Sequence, residues 1–189
     1  LGVDPRRFGD YTTETYLIDK NEEAYANVFT VHYPDEEREE GRPLRQAPCY
    51  DRLKELGAVF GQKFGWERAN WFAPSKELQK DDWSFRRSKW FEHVGNECKN
   101  VSENAGLLDM SAFAKCRISG PGAEEFLDFL VANKIPKKIG RVNLCHALNT
   151  AGGVHSEFTI AKEKENSFYL VSAGAFQRLD HDWIHKWMP

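Results

Sequence analysis

The chain has 189 residues, enough for one sizeable hydrophobic core and short for two full domains. Its 26 basic and 29 acidic side chains give a formal net charge of −3 without a long run of lysine or arginine, so the electrostatic signature of a nucleic-acid-binding protein is missing. No apolar run approaches the roughly 20 residues that cross a bilayer. We therefore expect a soluble protein whose partners are small molecules or protein, with neither nucleic acid nor a membrane among them.

The cysteines and the chain ends suggest where the protein acts. Cys49, Cys98, Cys116 and Cys145 are widely spaced and form no CxxC pair, which fits neither a zinc site nor a disulfide-rich secreted domain. We expect reduced thiols in the cytoplasm, or in the mitochondrial matrix if the source is eukaryotic. The chain starts without methionine and stops directly after a helical pattern, which suggests a piece of a longer protein.

The first 43 residues are polar and are interrupted by turn-forming residues. They predict a loop that leads into a short strand ending at Asp19, then a helix from Asn21 to Pro34 and a charged connector. From Ala47 the pattern changes, because apolar residues recur at helical spacing up to Gly57, which is suited to end a helix. A new domain is therefore predicted to start at this point.

Glycine and aromatic residues dominate the next stretch, residues 57–72, which predicts a strand pair with a tight turn. Its aromatic side chains are interpreted as core, and stacking on a flat ligand is the alternative. A helix is predicted within residues 84–106, and its apolar side is interpreted as core; this side comprises Trp90, Val94, Cys98 and Val101.

Strand and helix patterns then alternate regularly to the end of the chain. The predicted order is strand, helix, three strands and a final helix, at residues 107–119, 120–135, 142–149, 152–163, 166–173 and 176–188. The predicted class is α+β, with a mainly antiparallel sheet and flanking helices.

The predicted strand within AGGVHSEFTI, residues 151–160, carries a carboxylate, Glu157, near its middle. Side chains alternate along a strand, so Val154, Phe158 and Ile160 share one face and His155 shares the other face with Glu157. The second face either contacts solvent or lines a cavity in which the acid acts chemically. The strand alone favours solvent contact.

Three further patterns are weaker indications of a site. His181 and His185 lie one helical turn apart, but Asp182 stands where a zinc protease has its glutamate, so we predict a solvated helix face and no metal site. The ISGPGAEEF stretch lacks the spacing of a phosphate-binding loop. Cys145 and His146 are adjacent on a predicted strand and point to opposite faces, which argues against a nucleophile and base couple.

Four blocks of sequence together resemble a known family. APCYDRLKELGAVFGQKFGWERANWFAP, AGLLDMSAFAKCRISGPGAEEFLDFLVANKI, AGGVHSEFTI and FYLVSAG are similar, in order and spacing, to aminomethyltransferases of the glycine cleavage T-protein type. The resemblance covers roughly residues 47–189 and implies the first half of a T-protein folate-binding fold.

The amino-acid sequence around the first block is more similar to one branch of that family. GRPLRQAPCYDRLKELGAVFGQKFGWERANWF, preceded by DPRRFGDY and NEEAY, resembles the C-terminal half of sarcosine and dimethylglycine dehydrogenases. In these enzymes an FAD domain oxidises an N-methyl amine, and a folate-binding domain follows. The resemblance implies that residues 1–46 are the end of the oxidase-type domain with its connector, and that residues 47–189 begin the folate domain.

The resemblance also implies cofactors and site residues. Tetrahydrofolate is the cofactor of this part, and FAD belongs to a region of the parent protein outside this chain. T-proteins carry an aspartate facing the reactive folate nitrogens, and it aligns with Glu157, the implied catalytic base. Phe113 aligns with a methionine that packs on the pterin, and Leu144 aligns with a folate-binding tyrosine, so that contact changes in kind. Ser172 lies near an asparagine that binds the pterin edge.

The implied function is the folate part of an FAD-dependent N-methyl amine dehydrogenase that yields 5,10-methylene-tetrahydrofolate. Its partners would be the amine and the remainder of the parent chain, and we expect this chain to be inactive by itself. One alternative is a non-catalytic regulatory module of the same fold, which has no need of a carboxylate at Glu157. Another is a stand-alone folate-dependent aminomethyltransferase or demethylase.

Overall fold

The computed structural model describes residues 9–189, which fall into two compact units. One contains Asp10–Ala112 and the other contains Phe113–Pro189. The start of the predicted N-terminal loop, residues 1–8, lies outside the described part of the chain. The domain boundary predicted after residue 46 lies within the first unit, whereas the two compact units divide between Ala112 and Phe113. The boundary between the oxidase-type segment and the folate-binding domain stays a prediction.

The first unit begins with helix α1, Glu14–Ala26. Thr13 caps it, because its hydroxyl oxygen accepts a hydrogen bond from the Tyr16 backbone N–H at 3.2 Å. The strand predicted to end at Asp19 is therefore wrong. The helix predicted from Asn21 overlaps α1, but it starts seven residues earlier than expected and ends before Pro34.

A helix and a hairpin follow, as predicted. Helix α2 spans Tyr50–Glu55, and strands β1, Ala58–Lys63, and β2, Trp66–Phe72, pair antiparallel. Phe64 and Gly65 connect them with φ values of 51° and 81°, the left-handed geometry of a two-residue hairpin turn.

Helix α3, Trp90–Glu103, closes the first unit. Trp90 and Val94 pack against a small buried cluster centred on Trp71, whereas Cys98 and Val101 are exposed. The apolar side predicted for this helix is thus core only in its first half.

The second unit is a four-stranded antiparallel sheet in the order β3-β6-β5-β4, with two helices on one face. The elements in chain order are β3 Ala114–Ser119, α4 Ala123–Leu130, β4 Val142–Leu148, β5 Val154–Lys164, β6 Ser167–Ser172 and α5 Gln177–Trp187. The alternating pattern and the α+β class predicted from the sequence are confirmed.

The two faces of this sheet differ sharply in burial. Phe158, Ile160 and Leu170 are at most 1% exposed and pack with Leu127 of α4 and Ile184 of α5. Each such side chain stabilises the fold by about 1.5–3 kcal/mol through burial. Because strand residues alternate, the neighbours of these core residues are directed to the other face, which no helix of the unit's main core cluster covers.

Candidate functional site

Glu157 lies on the open face of the sheet, which is the face opposite Phe158 and Ile160, as the alternation in β5 predicts. Its neighbours Ser156 and Phe158 are 5% and 1% exposed, while the Glu157 side chain is 60% exposed. Within the described chain the carboxylate therefore stands on an open surface and not in a closed cavity. Its role as a base remains a prediction.

His146 is the cross-strand partner of Glu157. The two residues are opposite each other in the register of β4 and β5, and Nε2 of His146 lies 3.1 Å from Oε2 of Glu157. The sequence analysis missed this contact, because it considered His146 only as a partner for its neighbour Cys145. The alternation of strands contained a usable signal, since His146 was assigned to the face opposite Cys145 and Glu157 to the face opposite Phe158.

Asn133 holds His146 from the other side. Its Oδ1 accepts a hydrogen bond from the His146 backbone N–H at 2.7 Å and lies 3.3 Å from Nδ1 of the ring. The Ala132 N–H also donates to the His146 carbonyl at 2.9 Å, so the segment after α4 is tied to the edge strand β4. These bonds hold both the backbone and the ring of His146 beside Glu157.

Leu144 belongs to the same open face. It lies two residues before His146 on β4, its cross-strand partner is Thr159, and it is 53% exposed. Thr159 is in turn opposite Val171 on β6. Leu144 and Val171 thus provide apolar surface in the row of the sheet next to Glu157.

Phe113 lies directly before β3, at the other edge of the sheet, and is 43% exposed. Two strand spacings separate β3 from β5, or about 10 Å. A flat ligand on the open face would have to extend across β6 to meet both Phe113 and Glu157.

Ser172 is on the opposite face from Glu157, so the structure does not bring these two predicted site residues together. Its hydroxyl donates to Oδ2 of Asp180 at 2.6 Å, on the side covered by α5. Successive side chains of a strand point to opposite faces of the sheet. The sequence analysis placed Ser172 only near the corresponding T-protein asparagine, and a shift of one residue in this alignment changes the face of the sheet on which the aligned side chain lies. Val171, the neighbour of Ser172 on β6, lies opposite Thr159 and is directed to the open face instead.

Asp180 is a buried acid that the sequence analysis did not single out. It is 4% exposed and accepts hydrogen bonds from Ser156 at 2.5 Å and from Ser172 at 2.6 Å. Burial raises the pKa of Asp180, while the two serine hydroxyls and the nearby His155 act in the opposite direction. This carboxylate joins α5 to β5 and β6 beneath the sheet.

The paired histidines of α5 lie on its exposed side. The rings of His181 and His185 are 4.2 Å apart between centroids. Among residues 9–189 no three histidine, cysteine or acidic side chains are arranged to hold a metal ion. The four cysteines are free thiols. None of the helices described is long and apolar enough to span a membrane.

Comparison with known proteins identifies two family segments in the chain. The GCVT N-terminal domain matches residues 49–189, and the FAD dependent oxidoreductase central domain matches residues 1–47. Mitochondrial dimethylglycine dehydrogenase of Rattus norvegicus is 36% identical over 187 residues, which are 98% of this chain and 22% of that protein. The mitochondrial pyruvate dehydrogenase phosphatase regulatory subunit of Mus musculus is 32% identical over 193 residues, 99% of this chain and 22% of that protein.

The fold has a solved counterpart. The crystal structure of glycine cleavage system aminomethyltransferase T from Bartonella henselae superposes with a TM-score of 0.62 at 24% identity, covering 76% of this chain and 35% of that one. The chain spans about a fifth of the length of the rat dehydrogenase and of the mouse regulatory subunit. The predicted T-protein fold and the predicted resemblance are both confirmed. The chain belongs to the GCVT N-terminal domain family, and its residues 1–47 match the FAD dependent oxidoreductase central domain.

Proposed function

We propose that this chain is the folate-binding part of an FAD-dependent N-methyl amine dehydrogenase of the dimethylglycine or sarcosine type. The parent enzyme would oxidise the amine at its flavin and pass the one-carbon unit to tetrahydrofolate as 5,10-methylene-tetrahydrofolate. The observation that carries the proposal is the carboxylate of Glu157 on the open face of a T-protein-type sheet. The amine and the rest of the parent chain are the proposed partners.

The chemistry of the transfer explains why a carboxylate is needed. Oxidation of an N-methyl amine gives an iminium cation, and tetrahydrofolate supplies a nitrogen nucleophile that must lose a proton. Glu157 is suited to accept that proton, since a carboxylate positioned at the reacting nitrogen acts as a general base. Its negative charge would also stabilise the iminium cation until the folate nitrogen attacks it.

The residues around Glu157 fit a reduced pterin in two respects. Leu144 is 53% exposed on the same face and offers apolar surface to a flat ring. Glu157 offers an acceptor to ring N–H groups. Because these groups form an open surface, we propose that other parts of the parent chain complete the pocket.

A mitochondrial matrix location is proposed for a eukaryotic source, since the rat relative is a mitochondrial protein. For a bacterial source the corresponding compartment is the cytoplasm.

A regulatory module is the second candidate, and the similarity of nearly the whole chain to the mouse regulatory subunit favours it. The two candidates differ in what they need from Glu157. A regulator binds a partner and requires no proton acceptor on this face, whereas the enzyme does.

The parent protein distinguishes these functions directly. We expect dimethylglycine or sarcosine to reduce its flavin, with free formaldehyde as the product when tetrahydrofolate is absent and methylene-tetrahydrofolate in its place when tetrahydrofolate is added. Product analysis with and without tetrahydrofolate measures this. Flavin reduction without any change in product on adding tetrahydrofolate would contradict the folate role, and absence of flavin reduction would favour the regulator.

A further inference from the structure

We propose that His146 is a positioning residue for Glu157: it holds Oε2 of the carboxylate, so that Oε1 is presented to the folate nitrogen, and Asn133 sets the orientation of the imidazole ring. The inference rests on the proposed function of Glu157, and it adds two residues to the site that neither the family match nor the sequence motifs assign. It starts from three contacts, at 2.7, 3.3 and 3.1 Å.

The first contact identifies the atom that faces the ring. The His146 backbone N–H donates to Oδ1 of Asn133 at 2.7 Å, so this atom of the amide is an acceptor and must be the oxygen. The same oxygen lies 3.3 Å from Nδ1 of the ring. Nδ1 therefore carries a hydrogen, because two acceptors do not attract each other.

The position of the hydrogen on the ring then determines whether Nε2 can donate to Glu157 or only accept. In a neutral imidazole protonated at Nδ1, Nε2 is an acceptor, and the carboxylate oxygen 3.1 Å away is an acceptor as well. One proton must lie between Nε2 and Oε2 for this contact to be favourable. This shared proton allows the ring to hold Oε2 of Glu157, although both side chains also contact solvent, at 32% and 60% exposure.

The contact engages one carboxylate oxygen. Among the described residues no hydrogen bond to Oε1 of Glu157 is found, so Oε1 is the oxygen available to a ligand on the open face. His146 and Glu157 face each other directly in the β-ladder, and both therefore project from the same side of the sheet. A ring held at both Nδ1 and Nε2 restricts the rotation of the carboxylate.

This arrangement gives each group one task in the transfer. Oε1 of Glu157 takes the proton that the attacking nitrogen loses while its lone pair forms the new nitrogen–carbon bond. The π electron pair of the iminium would move to the amine nitrogen. Glu157 would then return the proton to that nitrogen as its bond to the transferred carbon breaks and the amine leaves, and it would take the proton of the second folate nitrogen as that nitrogen bonds to the same carbon. His146 remains bound to Oε2 and Asn133 remains bound to the ring.

The test uses the full-length enzyme and the yield of methylene-tetrahydrofolate per amine oxidised. His146→Ala should lower this yield by roughly 10-fold, within the range of coupling between contacting residues, while the rate of flavin reduction stays at the wild-type value. His146→Gln retains an N–H donor for Oε2 and should restore part of the yield. His185→Gln, which removes an exposed histidine of α5, is the matched control and should leave the yield unchanged.

Asn133 supplies a second pair of variants. Asn133→Asp keeps an acceptor for the ring and should behave like the wild type, whereas Asn133→Ala removes it and should lower the yield. This pair keeps the inference testable if His146→Ala does not fold. In the Glu157→Gln background, His146→Ala should cause no further loss, because its effect passes through the carboxylate.

The outcomes separate the inference from the function on which it depends. A wild-type yield in His146→Ala and in Asn133→Ala, together with a loss in Glu157→Gln, would overturn the positioning role and leave the proposed function standing. A wild-type yield in Glu157→Gln would overturn both. Equal losses of flavin reduction and of yield in all His146 and Asn133 variants would indicate a purely structural role and would also overturn the inference.

Discussion

Ser156 and Glu157 are adjacent in β5 and serve opposite sides of one sheet. Glu157 contacts His146 on the open face, while Ser156 donates a hydrogen bond to the buried Asp180 on the face that α5 covers. The alternation of the strand thus separates the groups proposed for chemistry from the groups that attach the helix. The two sides lead to different predictions.

The buried acid predicts how stability depends on pH. Burial raises the pKa of Asp180 above its ordinary value of 3.8, although hydrogen bonds from the serines oppose the shift, so the folded state binds this proton more tightly than the unfolded state does. Its contribution to stability is complete below pH 3.8 and is lost as pH rises through the folded pKa. Asp180→Asn removes this titration, so the unfolding free energy of the wild type should fall relative to the variant as pH rises from 3.8 through the raised pKa of the folded state.

Urea denaturation at several pH values measures this difference, and Asp182→Asn is the matched control on the same helix. Burial acts to raise the pKa of Asp182, but its contacts with His181 and Arg178 outweigh it, so the net shift is downward. The wild type should therefore gain stability relative to Asp182→Asn as pH rises. A parallel pH dependence of both variants would contradict the account of Asp180.

Arg42 and Glu67 form a buried ion pair in the first unit, where two hydrogen bonds of 2.9 and 2.7 Å join the guanidinium to the carboxylate. The Glu67 side chain is only 3% exposed, so Arg42→Ala leaves an unpaired charge inside the protein. We expect the unfolding free energy to fall by about 3–5 kcal/mol.

An exposed pair provides the comparison. Arg117 also binds Glu163 through two hydrogen bonds, but these side chains are 56% and 32% exposed. Arg117→Ala should cost only about 0–1 kcal/mol. Chemical denaturation of both variants measures the contrast, and a similar small loss in both would show that the burial of Glu67 does not govern the energy.

Ser172 tests which face of the sheet binds folate. If the ligand lies on the Glu157 side, Ser172→Ala in the parent enzyme should leave tetrahydrofolate affinity unchanged. The variant should lose about 1–3 kcal/mol of stability, because Asp180 is left without one of its two donors. Calorimetric titration and thermal unfolding measure the two quantities. Weaker binding at unchanged stability would support a folate contact by Ser172 and oppose the placement on the open face.

Local chemistry made much of the fold predictable. The Phe64–Gly65 hairpin turn, the helix after Gly120 and the alternation of β5 from Ser156 to Ile160 follow from short-range patterns, and the structure confirms them. The prediction that His155 shares the face of Glu157 is wrong, because its ring stacks on Trp183 of α5 at 3.9 Å and contacts Ser156. The start of α1 was missed because Thr13 supplies the cap inside a stretch that reads as a loop. In α3, helical spacing located an apolar side but did not show how far the neighbouring cluster extends, so Val101 was wrongly assigned to the core.

The candidate site depends on longer-range geometry. The local pattern placed Glu157 within a strand and the family resemblance implied its role, but its contact with His146 also requires the register of two strands joined by a turn, with an irregularity between Ala147 and Leu148. A shift of one residue would turn His146 to the other face. The same sensitivity separates Ser172 from the open face. Sequence alternation gives faces, whereas cross-strand partners depend on the completed ladder.

Glu157→Gln in the full-length enzyme tests the central claim most directly. The substitution keeps the shape of the side chain but removes the proton acceptor, so methylene transfer to tetrahydrofolate should fall by roughly 10²-fold or more. Amine oxidation at the flavin should hardly change, and free formaldehyde should replace methylene-tetrahydrofolate. Flavin reduction and methylene-tetrahydrofolate formation measured on the same variant provide the comparison. An unchanged yield of methylene-tetrahydrofolate per amine oxidised would contradict the role of Glu157 as the base.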